Sequence, residues 1–105
     1  MSLKSSFLFA LNLIVIGASA QSFSGPESVE FDPVNNRYIV SNTTSGNLQS
    51  VIPGNQPTLF TSVVSAPYGL VAVDSTVYVN DNGKVLGFNL VSGQQTFTSN
   101  INGSF

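Results

Sequence analysis

The chain is 105 residues long, with three basic residues against five acidic ones, no cysteine and no histidine. That composition excludes Ser-His-Asp and Cys-His catalysis, His/Cys zinc sites and a disulfide framework. Basic residues this sparse cannot build the positive stripe that phosphate backbones demand, so no nucleic-acid partner is expected.

In chain order, residues 1–20 read as an export signal. Lys4 supplies the positive charge, Phe7 to Gly17 the apolar core, and Ala18-Ser19-Ala20 a small-residue cleavage site that leaves Gln21 as the new N-terminus. The apolar run is about half the roughly 20 residues that a transmembrane helix needs, which argues against an anchor. The expected destination is secreted or periplasmic, with no membrane association after cleavage.

Beyond Gln21 the composition is that of an all-β protein, rich in Val, Thr, Ser, Phe, Asn and Gly, with no sustained helical spacing. Period-two alternation and turn residues predict strands at Val29–Phe31, Arg37–Ser41, Asn47–Ile52 and Thr58–Thr61. A second set follows at Leu70–Val73, Thr76–Asn80, Lys84–Asn89 and Gln94–Thr98. Asn82-Gly83 is the strongest hairpin signal, because both central residues of a type I′ turn need positive φ.

The two sets are one pattern used twice. Pro26 aligns with Pro67, Tyr38–Asn42 with Val77–Asp81, and Leu59-Phe60 with Thr96-Phe97. Asn100 to Phe105 matches Ala66 to Val71 and reads as the opening of a third unit. A repeat of about 40 residues with four short antiparallel strands is the signature of a β-propeller blade. The expected organisation is a signal peptide at 1–20 and a partial β-propeller at 21–105. Blade 1 covers about 26–61, blade 2 about 67–98, and blade 3 begins at about 100–105. Two blades and a stub do not close a ring, so the chain reads as a fragment of a longer propeller. Self-assembly of several copies and a small twisted β-sandwich are the alternatives. The remaining blades, in cis or by self-association, are thus expected partners.

Several stretches resemble the senescence-marker-protein/gluconolactonase family and the related NHL-repeat propellers. Glu27-Ser28-Val29-Glu30-Phe31-Asp32-Pro33 is similar to that family's first-blade E-G-P-x-W-D-P motif, with Ser28-Val29 in place of Gly-Pro and Phe31 in place of Trp. Arg37–Asn42 and Thr76–Asp81 resemble its L-Y-V-x-D strand. Pro67-Tyr68-Gly69-Leu70 and Ile101-Asn102-Gly103 resemble its P-x-G-L blade openings. The resemblance implies a six-bladed propeller with a divalent cation, commonly Ca2+, in the central channel. It places Glu27 on the metal-ligand Glu and Asn102 on a blade-opening Asn that touches cation or substrate. Tyr68 occupies the equivalent ligand-facing place of the second blade. The implied enzyme is a calcium-dependent hydrolase of sugar lactones, in which the cation polarises the carbonyl and orients water. Any catalytic Asp from a later blade would lie beyond Phe105, so no catalytic residue is assigned.

The same residues have plainer readings. Glu27 is equally a solvated strand-start carboxylate. Asp32 fits an Asp-Pro turn, and Asn42 and Asp81 fit strand-end turn closure. Tyr38 and Tyr78 are expected to pack between blades. Asn42-Thr43-Thr44 and Asn102-Gly103-Ser104 are N-glycosylation sequons if the source is eukaryotic. Two functions follow: an exported scaffold that recognises a small molecule or glycan, or the cation-dependent lactonase.

Overall fold

The computed structural model describes residues 23–100. The export signal, the third-unit residues 101–105 and with them Asn102 lie outside the described residues. Eight strands follow in order: β1 (Pro26–Asp32), β2 (Arg37–Asn42), β3 (Asn47–Val51), β4 (Thr58–Thr61), β5 (Pro67–Val73), β6 (Thr76–Asp81), β7 (Lys84–Asn89) and β8 (Gln95–Asn100). They form two four-stranded antiparallel sheets, β1-β2-β3-β4 and β5-β6-β7-β8, each a simple meander. No helix among the described residues is long and apolar enough to cross a membrane.

The repeat is exact in register where it matters. Pro26 pairs with Asn42 and Val29 with Val40 in unit 1. Pro67 pairs with Asp81 and Leu70 with Val79 in unit 2. Both first strands start earlier than alternation predicts, because each opens with a proline and then a register shift, between Pro26 and Ser28 and between Pro67 and Leu70. The bulge inserts a residue and bends the strand, which hides the period of two over that stretch. Proline fits there because the first residue of an edge strand need not donate to the ladder. At the other end, β8 continues to Asn100, which pairs with Lys84. The residue expected to open a third unit is therefore the last residue of β8.

Hairpin chemistry follows the sequence. Asn82 and Gly83 have φ of 54° and 89°, the pair of positive values that a type I′ turn requires. Asp74 and Asn36 also take positive φ, at 55° and 53°, in the β5–β6 and β1–β2 turns. Between β7 and β8 the Asn89 side chain accepts the Val91 and Ser92 amides at 2.8 and 2.9 Å, and the Gly93 amide bonds the Asn89 carbonyl.

The main core lies between the two sheets. Ile39, Leu48 and Val64 from unit 1 meet Val77, Val79, Leu86, Phe88 and Leu90 from unit 2, with Phe60, Leu70 and Ala72 at the margin. A second cluster of Phe23, Val40 and Val51 sits on the other face of unit 1, with Val29 and Tyr38 against it. Burial of each large aliphatic or aromatic side chain contributes about 1.5–3 kcal/mol, so the seam between units is where most of the stability resides. Neither Tyr38 nor Tyr78 lies in that seam. Tyr38 meets Phe31 edge-on at 5.4 Å, and Tyr78 meets Phe97 edge-on at 5.7 Å. Strand parity places them there, since Ile39 and the Val77–Val79 pair take the positions facing this seam and leave the tyrosines on the outer faces of the two sheets.

Candidate functional site

The bulges at the start of β1 and β5 put Glu27 and Tyr68 in the same place of the two units. Each is the residue just after the opening proline, and each lies in the stretch where the register slips. A bulge re-aims its side chain away from the regular alternation, which makes these two positions candidates for contact with a ligand. Glu27 is exposed and Tyr68 is 43% exposed. The first strands of the two units, β1 and β5, pack against each other. Among the described residues no group of three or more His, Cys, Asp or Glu is placed to hold a metal ion. Glu27 is thus the one described member of the calcium site that the resemblance implies, since its companion Asn102 lies outside the described residues.

Several other polar side chains hold the turns and the two units together. Asp32 is fully buried and closes its own turn: Oδ1 accepts the Val34 and Asn35 amides at 2.9 and 3.2 Å. Its Oδ2 accepts Asn35 Nδ2 at 3.0 Å and Arg37 Nε at 2.7 Å. Burial pushes this carboxyl up, but the bonds from Arg37, Asn35 and Val34 outweigh it and hold it below the ordinary value of 3.8. Arg37 then reaches across the seam. Its guanidinium donates to Ser50 Oγ and to the Leu90 carbonyl of unit 2, and lies over the Phe60 ring, 5.2 Å from the centroid. Asn35 donates to the same Leu90 carbonyl at 2.9 Å.

A second row of bonds fastens β5. Ser28 Oγ accepts the Leu70 amide at 3.3 Å and Glu30 accepts the Ala72 amide at 2.7 Å. Ser41 and Thr43 donate to the Tyr68 and Pro67 carbonyls, both at 2.6 Å. Four side chains of unit 1 thus grip the backbone of the first strand of unit 2. Sequence reasoning missed this role for Ser28, Glu30, Ser41 and Thr43, and the cross-unit reach of Arg37 to Leu90. The only signal was parity: Ser28, Glu30, Arg37 and Ser41 share one face of β1 and β2 with Ile39.

The strand ends complete the pattern. Asp81 accepts the Ser65 and Ala66 amides at 2.8–3.1 Å, closing the link that leads into β5. Asn42 does the same for unit 1, accepting the Ser24 amide at 3.3 Å while its amide donates to Asn47 and Gln49. Asn42 is fully buried, so the acceptor of the first sequon is out of reach in the folded protein.

No family model matches the chain, and no curated protein matches it.

Proposed function

We propose that the chain is an exported β-propeller segment that serves as a recognition scaffold, of the gluconolactonase-like and NHL-repeat kind. The observation that carries this reading is the inter-unit joint. Two meanders of equal register pack face to face, with the innermost strand of the second gripped by side chains of the first. Such a joint can be repeated around an axis, which is how propellers close. Ser28, Glu30, Asp32, Arg37, Ser41 and Asp81 are engaged in that joint and in the turns, whereas the bulge side chains Glu27 and Tyr68 are exposed and open to a ligand. A small molecule or a glycan is the ligand class, because an exposed tyrosine and an exposed carboxylate at equivalent places of the two units offer a stacking face and hydrogen-bond acceptors.

Calcium titration by calorimetry tests the choice between scaffold and enzyme. The scaffold reading expects no calcium binding by the chain or by Glu27→Gln. Binding that the substitution abolishes, together with turnover of a sugar lactone, would replace it with the cation-dependent hydrolase. Export is checked separately by the N-terminus of the protein recovered outside the cell, expected at Gln21.

A further inference from the structure

Unit 2 carries on its far face the counterpart of the surface that unit 1 uses to grip β5. Register places Gly69, Val71, Tyr78, Asn80 and Val85 where unit 1 has Ser28, Glu30, Ile39, Ser41 and Leu48. On unit 1 this face is covered, with Ile39 and Leu48 buried against unit 2. On unit 2 the same positions line a groove of about 300 Å³, and Val71 is 50% exposed. At its floor Asn80 Oδ1 is buried without a hydrogen-bond partner. Its counterpart Ser41 bonds the β5 backbone. Buried polar atoms are rarely left unpaired, and this one sits where the repeat predicts a strand.

We propose that this groove receives the innermost strand of a following unit of the same design, whose main chain hydrogen-bonds the Asn80 side chain. The inference rests on the propeller reading above and adds the chemistry of the joint. Gly69 and Val71 replace the two acceptors Ser28 and Glu30, so this joint is drier than the first. The incoming strand is held by aliphatic contact with Val71 and Val85 and by the bond at Asn80. β1 of a second copy is disfavoured, because the face of unit 1 that would meet this wall is already packed by Phe23 with Val29, Tyr38, Val40 and Val51. The strand type that fits is that of β5, which is uncharged from Pro67 to Val73.

The test is an NMR titration of the isotope-labelled full-length chain with a synthetic peptide of the sequence Ala66–Val73. Saturable shifts are expected at the amides of Val71, Tyr78, Asn80 and Val85. Val85→Lys should weaken binding at least about tenfold, and Asn80→Leu should weaken it several-fold, while Asn80→Ser, which restores the hydroxyl of unit 1, retains most of it. Shifts confined to Ser28 and its neighbours, where the peptide would compete with β5, would overturn the proposal. So would binding indifferent to Val85→Lys, or self-association of the chain through this face. Cross-unit contacts between Ile39 and Val79 in the same spectra separate the two levels. If these contacts are present and no peptide binds, only the groove assignment fails; if they are absent, the propeller reading fails with it.

Discussion

Asp32 is a fully buried carboxylate whose partners are local in sequence, from Val34 to Arg37, while its purpose is distant. By fixing Arg37 it presents the guanidinium to Leu90 of the other unit. Its pKa is lowered on folding, so its stabilising contribution is complete above the unfolded value and is lost as pH falls through the folded one. The urea midpoint should therefore hold level at neutral pH and decline from about pH 4 downward, with a shallower decline in Asp32→Asn. The chain has no histidine, so no side chain with an ordinary pKa adds a slope between about pH 5 and 8. Arg37→Ala should cost about 3 kcal/mol in chemical unfolding, because it strands a buried charge that the turn amides satisfy only in part.

At the scale of the element, two glycines separate backbone from packing. Gly83 has a φ of 89°, and a Cβ there would meet nothing within 4 Å. Gly83→Ala should cost about 1–2 kcal/mol, all of it from the left-handed backbone of the hairpin turn. Gly87 has ordinary φ, but a Cβ there would come within 2.9 Å of Phe97 Cβ and 3.1 Å of the Tyr78 ring. Gly87→Ala should push β8 off β7 and disturb the Tyr78–Phe97 edge contact, a change visible in near-ultraviolet circular dichroism while Gly83→Ala leaves that signal intact. The Asn82-Gly83 turn was legible in the sequence because its requirement is local. The close approach at Gly87 was not, since it depends on which residue of β8 lies opposite.

For the whole molecule, the seam between the sheets is the shared core. Phe88 is fully buried and lies edge-on to Phe60 of unit 1, with ring centroids 6.4 Å apart. Phe88→Ala should cost about 3–5 kcal/mol. It should lower one common thermal transition in calorimetry, because both units use the same seam. Two separate transitions would show that each sheet is stable alone, which four strands with one bare face do not favour.

The sequence by itself determined the all-β class, the two-fold repeat, the place of nearly every strand and the turns marked by Asn-Gly, Asp-Pro and Ser-Gly. These follow from period and backbone preference, which act over a few residues. It also paired Glu27 with Tyr68 across the repeat, and the bulges now give that pairing a structural cause. Only the tertiary structure decided which face of each sheet is the seam. Alternation says that Tyr38 and Ile39 point opposite ways, but not which way is inward. The choice was made by the fit of Ile39 and Leu48 against Phe88 and its neighbours, and by the reach of Ser28, Glu30, Ser41 and Arg37 to a backbone distant in sequence. Such bonds join residues whose separation leaves no local trace, so packing alone could reveal them.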